Sequence, residues 1–268
     1  MPITCPLFMQ NLTQPEFDER DAIVMRCAYA AQNALGRLCD ERVYENDLAL
    51  RLSAEGFKAV HTQVPVTVTH DSFEKILRLD LIADDALYEL KTVAAFAPQH
   101  DAQVLHYAML MAVNHAKLLN FRTGRVQGRL RFNALLPPER HKLLWDDSSW
   151  RPLSPQCESL KHRVRALLED WGGCLDCRLY EEALVHFCGV EAGCLRRVAI
   201  SRSGVELGSH LVHCHGDDVF FLVTAFSGEI STQQAHIERL LALTNLRGVQ
   251  WVNLNHLTAQ FIALEGQG

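Results

Sequence analysis

Between Leu77 and Lys91 three charged side chains interrupt an otherwise apolar stretch: LDLIA and ALYELKTV enclose Asp80, Glu89 and Lys91. Asp84-Asp85 between them is a favourable turn pair. A two-residue hairpin centred there sets Asp80 directly opposite Glu89 on one face of the sheet, with Cβ atoms roughly 4.5–5.5 Å apart. Two carboxylates held that close repel each other unless something positive lies between them. Lys91, two residues after Glu89, shares that face. A carboxylate pair beside a lysine suits a divalent cation: Mg²⁺ prefers oxygen ligands, keeps several waters and needs only one or two protein carboxylates. Such an ion lowers the pKa of a bound water and stabilises charge on a phosphate. The lysine could orient the attacking water or stabilise the developing negative charge. Spacing alone makes this a weak pattern, which a solvated hairpin with an ordinary ion pair also produces. The apolar surroundings tip the reading towards chemistry, because these charges interrupt strands that otherwise look buried.

The elements that must position these groups follow from the hydrophobic period. A helical pattern opens near Glu16 and runs through DERDAIVMRCAYAAQNAL; Gly36 interrupts it, and RVYENDLALRLSAEG resumes it with Gly56 past its end. HTQVPVTVTH, ILRLDLIA and ALYELKTVAAF read as strands. Helical spacing returns between Pro98 and Asn114, and Gln103 and Tyr107, four apart, share one face of that helix. For Tyr107 plain core packing is an equal reading. AKLLNF and GRLRFNALL are two more strands, stopped by Pro137-Pro138. The order predicts an α/β or α+β domain. The expected boundaries are a leader over 1–18, a first domain over 19–136, a polar linker over 137–156 and a second domain over 157–268.

Composition bounds the rest. The 268 residues carry 26 Lys+Arg against 32 Asp+Glu, a net charge of −6, with 48% hydrophobic residues, which excludes disorder and collagen-like chains. No apolar run approaches the ~20 residues that span a bilayer. The N-terminus, MPITCPLFMQ, lacks a basic start and a long apolar run, which predicts no signal peptide and a cytoplasmic location. Nine cysteines, an odd count, argue for reduced thiols rather than a disulfide scaffold. Bulk charge does not mark a nucleic-acid binder, although Arg122, Arg125, Arg129 and Arg131 could line a groove for phosphates or equally be an ordinary solvated strand and loop.

The second half repeats the first. GRLCDERVYEN aligns with GGCLDCRLYEE, matching Gly36 to Gly172, Asp40 to Asp176, Tyr44 to Tyr180 and Glu45 to Glu181. IADDALYELKTV then aligns with HGDDVFFLVTAF, matching Asp84-Asp85 to Asp217-Asp218 and, further on, Asn120 to Asn253. Ordered identities over a hundred residues or so favour duplication over chance. The two copies could pack as an internal pseudo-dimer.

Asp80 followed by Glu89-Leu90-Lys91 resembles the signature of the PD-(D/E)xK nuclease superfamily, and Gln103 with Tyr107 resembles the QxxxY feature of its RecB-type exonucleases. More closely, LCDERVYEN, VPVTV, LDLIADDALYELKTV, DAQVLHY and KLLNF resemble, in order and spacing, the GxxExxY protein family. Glu41 and Tyr44 match that family's Glu and Tyr, while Leu38 stands where it has Gly. The resemblance implies a restriction-endonuclease-like core, a mixed central sheet flanked by helices, here duplicated in tandem. It implies that Asp80, Glu89 and the Leu90 carbonyl bind Mg²⁺ or Mn²⁺ and that Lys91 acts on the attacking water or the scissile phosphate. Glu41 would support the metal, and Gln103 and Tyr107 would position the site or the substrate, expected to be DNA.

At the aligned positions of the second half, Glu41 becomes Cys177, Asp80 becomes His213, Glu89 becomes Leu222, Lys91 becomes Thr224, Gln103 becomes His236 and Tyr107 becomes Leu240. The same hairpin reading sets Leu222 opposite His213. The second copy therefore reads as degenerate and non-catalytic. Cys174 and Cys177 with His213, Cys214 and His215 raise a zinc site, but no second ligand pair has matching spacing, and buried thiols are the better reading. The expected protein is a metal-dependent nuclease with a silent second copy. The alternative is a catalytically silent nucleic-acid- or protein-binding module on the same fold.

Overall fold

A run of helix-forming residues between a Glu16-stabilised start and a glycine stop makes the first long element, α1 (Gln14–Leu35). The Glu16 carboxylate accepts the Thr13 N–H at 2.8 Å, and Gly36, at φ 76°, ends the helix by donating its N–H to the Gln32 carbonyl. α2 (Glu41–Ala54) follows from Asp40, and Gly56, at φ 95°, lies just past its end. The computed structural model describes residues 2–189, 194–215 and 218–266. Contacts divide the chain into two units, 1–139 and 140–268.

The first unit contains β1 (Ile3–Thr4), α1, α2, β2 (Val60–His70), β3 (Phe73–Ala83), β4 (Ala86–Lys91), α3 (Pro98–Leu110), β5 (His115–Asn120) and β6 (Gln127–Phe132). Its sheet runs β1-β2-β3-β4-β5-β6. Neighbours are antiparallel except β4 and β5, which run parallel because α3 carries the chain across between them. Phe17, Val24, Ala28 and Ala31 of α1 and Tyr44, Leu48 and Leu52 of α2 pack on Leu81, Tyr88, Leu90 and Leu119 of the central strands. This packing fixes the N-terminal turn of α2 over the hairpin of β3 and β4.

α4 (Pro137–Arg140) spans the division. The second unit continues with β7 (Leu144–Ser149), α5 (Pro155–Trp171), α6 (Cys177–Cys188), β8 (Leu195–Arg202), β9 (Val205–Cys214), β10 (Val219–Thr224), α7 (Ile230–Leu241), β11 (Gly248–Asn255) and β12 (Thr258–Glu265). Its sheet runs β7-β12-β11-β10-β9-β8. From β8 to β12 the order and directions match β2 to β6, including one parallel pair, β10 with β11. Each sheet adds one different edge strand. β1 lies antiparallel on β2, and β7 lies parallel on β12.

Those edge strands correct two expectations. The 1–18 leader supplies β1 and the first turn of α1; a two-residue strand is too short to leave a period in the sequence. The 137–156 linker supplies α4, β7 and the start of α5. Leu144–Ser149 hides its strand character because its side chains are mostly exposed, while the backbone pairs with β12 and Trp145 stacks on Phe261 at 6.3 Å. The strand expected over ALYELKTVAAF stops at Lys91. There the buried Asn120 side chain accepts the Val93 N–H at 3.2 Å and donates to the Val93 carbonyl at 2.8 Å, turning the chain out of the sheet. Asn253 holds Phe226 in the same way, at 2.8 and 3.0 Å. Tyr44 donates to the Gly36 carbonyl at 2.8 Å, and Tyr180 to the Gly172 carbonyl at 2.5 Å.

Candidate active site

The expected hairpin forms around Asp84 and Asp85, at φ 44° and 70°, the mirror-image turn that suits twisted strands. Asp84 is held there by the backbone N–H groups of Lys58 and Ala59, and its carbonyl accepts from Arg20. The pairs run Ala83 with Ala86, Ile82 with Leu87 and Leu81 with Tyr88, and then the backbone ladder stops. At the next position Asp80 and Glu89 face each other without main-chain pairing. The Asp80 carboxylate accepts the Leu90 N–H at 2.8 Å, so a side chain does the work of a strand carbonyl. On the other side, the ladder of β2 with β3 is interrupted without a change of register between Thr62 and Val64, where one residue sits opposite Asp80. That residue, Gln63, has φ 53°, a left-handed conformation that costs a side-chain-bearing residue roughly 1–2 kcal/mol.

That strain aims the Gln63 amide at two carboxylates, Glu45 at 2.9 Å and Asp80 at 3.3 Å. Glu45 is 1% exposed and also accepts from Arg42 at 2.5 Å. Glu89 is 2% exposed. Its Oε1 takes Lys91 Nζ at 2.6 Å, while its Oε2 is buried with no protein partner. Burial, and next the Asp80 charge, push the Glu89 carboxyl up to about 8, against the pull of Lys91. Glu41, at the start of α2, reaches Lys91 Nζ at 3.8 Å, and burial raises its carboxyl above the ordinary range despite the lysine. Burial favours a neutral Lys91, but Glu89, Glu41 and Asp80 outweigh it and hold the ammonium above its usual range.

On α3, Gln103 donates to the Tyr107 hydroxyl at 3.2 Å. Burial raises the Tyr107 phenol, and the charges of Glu89 and Asp80 reach it. Tyr107 is thus both largely buried and electrostatically part of the site. Asp80, Glu89, Lys91, Glu41, Gln103 and Tyr107 therefore converge, with Leu90 tied to Asp80. Glu45 and Gln63 were missed. Glu45 lies one helical turn after Glu41, a spacing that shares a face and was available in the sequence. Gln63 gave no signal, because alternation along a strand does not reveal a left-handed residue.

The arginines divide. Arg122 and Arg125 are exposed on the β5–β6 loop, and Arg125 lines an open cavity of about 740 Å³ with Tyr29 and Phe96. Arg129 and Arg131 both pair with Asp101, at 2.9 Å, and Arg129 also covers the Phe96 ring. Their charge is committed to α3, so the four-arginine groove reduces to two.

In the second unit, His213, Leu222, His236 and Leu240 line one cavity of about 310 Å³ with Glu181 and Phe221. His213 bonds Glu181 at 3.2 Å and stacks on Phe221 at 5.5 Å. One expectation needs correction here: the hairpin pairs His213 with Phe221, not with Leu222. The His215 N–H donates to the Val219 carbonyl, so three residues separate this bonded pair where two separate Ala83 from Ala86. Asp217, aligned with Asp84, lies outside the described residues.

Glu89 Oε2 is a buried carboxyl oxygen with no protein partner, which a cation fits by taking the place of the carboxyl proton. Among the described residues no three His, Cys, Asp or Glu side chains gather as a ligand set. Two carboxylates suit an ion that keeps most of its waters. Among the described residues, no helix is long and apolar enough to cross a membrane. Residues 18–132 match the family described as the PD-(D/E)XK nuclease superfamily, a span that holds every site residue above. No curated protein and no solved structure matches the chain.

Proposed function

We propose that the N-terminal unit is a divalent-metal-dependent phosphodiesterase acting on nucleic acid, with DNA as its substrate. The observation that carries this reading is the buried Asp80–Glu89 pair with Lys91 beside it and one Glu89 oxygen unpartnered. Asp80, Glu89 and the Leu90 carbonyl would hold Mg²⁺ or Mn²⁺, which when bound supplies an activated water and stabilises charge on the phosphate.

The chain's own groups then have separable tasks. Lys91 is a permanent cation held between Glu89 and Glu41, so it stabilises negative charge developing on the phosphate rather than removing a proton. Asp80 is held from both sides, by the Leu90 N–H and by Gln63, which keeps its carboxylate directed at Glu89's face of the sheet. Tyr107 and Gln103 offer a phenol and an amide beside the carboxylates to orient a substrate strand. Arg122 and Arg125 would contact its phosphates.

We further read the second unit as a duplicated, non-catalytic copy. Its strand order and directions support this. So do the Asn120/Asn253 clamps, the Tyr44/Tyr180 bonds, and the β10–β11 register, which repeats β4–β5 with Thr224 and Asn253 in the places of Lys91 and Asn120. No carboxylate stands at its counterpart positions His213 and Leu222.

The test is cleavage of labelled single- and double-stranded DNA and RNA with Mg²⁺, Mn²⁺ or EDTA, comparing wild type with Lys91→Ala. Metal-dependent cutting of DNA that Lys91→Ala abolishes supports the proposal. Cutting that survives both EDTA and Lys91→Ala refutes it. Metal-independent binding of nucleic acid without cutting would favour a silent binding module.

A further inference from the structure

At the end of α6 the Cys188 sulfur lies 3.1 Å from His215 Nδ1. The other ring nitrogen, Nε2, is 2.6 Å from the Gln156 carbonyl, which can only accept. His215 therefore carries its proton on Nε2 and presents a lone pair from Nδ1 to the Cys188 thiol. Cys194 lies beside this contact, because the next residue, Leu195, pairs with His213 two positions before His215, and its thiol interacts electrostatically with that of Cys188. Cys194 is anchored by its own carbonyl, which takes the Cys214 N–H at 2.6 Å. Arg163, stacked on Phe187 next to Cys188, adds a cation that favours a thiolate. Two neighbouring thiols, a neutral imidazole on one of them and a nearby guanidinium are the surroundings that make cysteine pairs reactive.

We propose that Cys188 and Cys194 are a peroxide-sensitive thiol pair that closes to a reversible disulfide, with His215 as its base. The Cys188 proton passes to His215 Nδ1, and the Cys188 thiolate attacks one peroxide oxygen. The O–O bond breaks, an S–O bond forms, and the departing hydroxide takes the imidazolium proton to become water. The Cys194 thiolate then attacks the Cys188 sulfur. The S–O bond breaks, the S–S bond forms, and the second hydroxide leaves as water with the Cys194 proton. Two thiols are oxidised and one peroxide is reduced to two waters.

The charges agree with these roles. The interaction between the two sulfurs holds the Cys194 thiol below its ordinary range, ready to resolve, and, with burial, holds Cys188 above it. Cys188 therefore needs a base, and burial keeps His215 below its usual range and so neutral. Cys188 is half-buried and Cys194 buried, which makes Cys188 the sulfur a peroxide reaches first.

Trypsin cuts after Arg178 and Arg196, so both thiols fall in the single peptide 179–196, which holds no other cysteine. The reduced full-length chain is treated with one equivalent of hydrogen peroxide, alkylated and digested. The expected peptide is lighter by two hydrogens, takes no alkyl groups and regains both after dithiothreitol. Cys194→Ser should instead leave a Cys188 sulfenic acid that dimedone traps. His215→Ala should slow closure by about a hundredfold, the low end of what a positioned base contributes. A fully alkylated 179–196 peptide while other cysteines oxidise would overturn the proposal, as would closure at an unchanged rate in His215→Ala.

Discussion

The two sheets share a frame and differ in what stands at its centre. Each keeps a buried asparagine that clamps the chain leaving the sheet, and each keeps a tyrosine bonded to a helix-ending glycine carbonyl. At the hairpin they part. The first sets Glu89 beside Asp80 with a lysine on one Glu89 oxygen and the other unpartnered; the second closes His213 on Phe221 and satisfies its imidazole with Glu181. Glu45 and Glu181 show how little a residue type reveals alone. One reaches Asp80 through Gln63, and the other bonds His213 directly. The frame depends on backbone satisfaction, whereas the site depends on charges that the frame tolerates.

The largest separation should come from Lys91→Ala. It should lower cleavage at least about a thousandfold, since it removes a preorganised cation, while Thr224→Ala changes no rate; initial rates on a labelled duplex decide this. Next, Asn120→Ala and Asn253→Ala should each cost about 3 kcal/mol in denaturant unfolding, because each strands backbone groups that the amide satisfies. A cost confined to one of them would break the equivalence of the clamps.

Third comes pH. Glu89 titrates near 8 in the metal-free fold against an ordinary 4.5, so the folded state binds the extra proton between those values. The metal-free protein should therefore lose stability as pH rises from about 4.5 through 8. Glu89→Gln should flatten that slope and melt higher than wild type at pH 9 in EDTA, and an unchanged slope would contradict the assignment. A smaller effect is expected from Gln63→Gly, which relieves the left-handed strain but frees Asp80. Activity should fall about tenfold with melting nearly unchanged, consistent with a positioning rather than a folding role. The smallest effect should be none: His213→Asp with Leu222→Glu and Thr224→Lys, tested in a Lys91→Ala background, should not restore cutting, because the second hairpin pairs one residue out of step.

Most of the frame was legible because it rests on strong local signals. Gly36 and Gly56 past helix ends, Val–Thr alternation over β2 and the Asp84-Asp85 turn each have one good backbone solution. The face-to-face carboxylates followed from turn geometry alone. The edge strands did not, because β1 and β7 exist through pairing with distant segments and carry little pattern of their own. The left-handed Gln63 and the one-residue shift in the pairing of β9 with β10 were equally invisible, since side-chain period counts residues but not backbone conformations. The arginines misled in the opposite sense: Arg129 and Arg131 look available until Asp101 is seen between them.

The bond from Asp80 to the Leu90 N–H has an evolutionary corollary. Because that carboxylate stands in for a main-chain acceptor, it cannot drift to an apolar residue while the strands stay in place; the amide of Leu90 would be orphaned. Abandoning the chemistry would mean re-registering the hairpin in the same stroke, and β9 with β10 shows that this frame accommodates such a one-residue step.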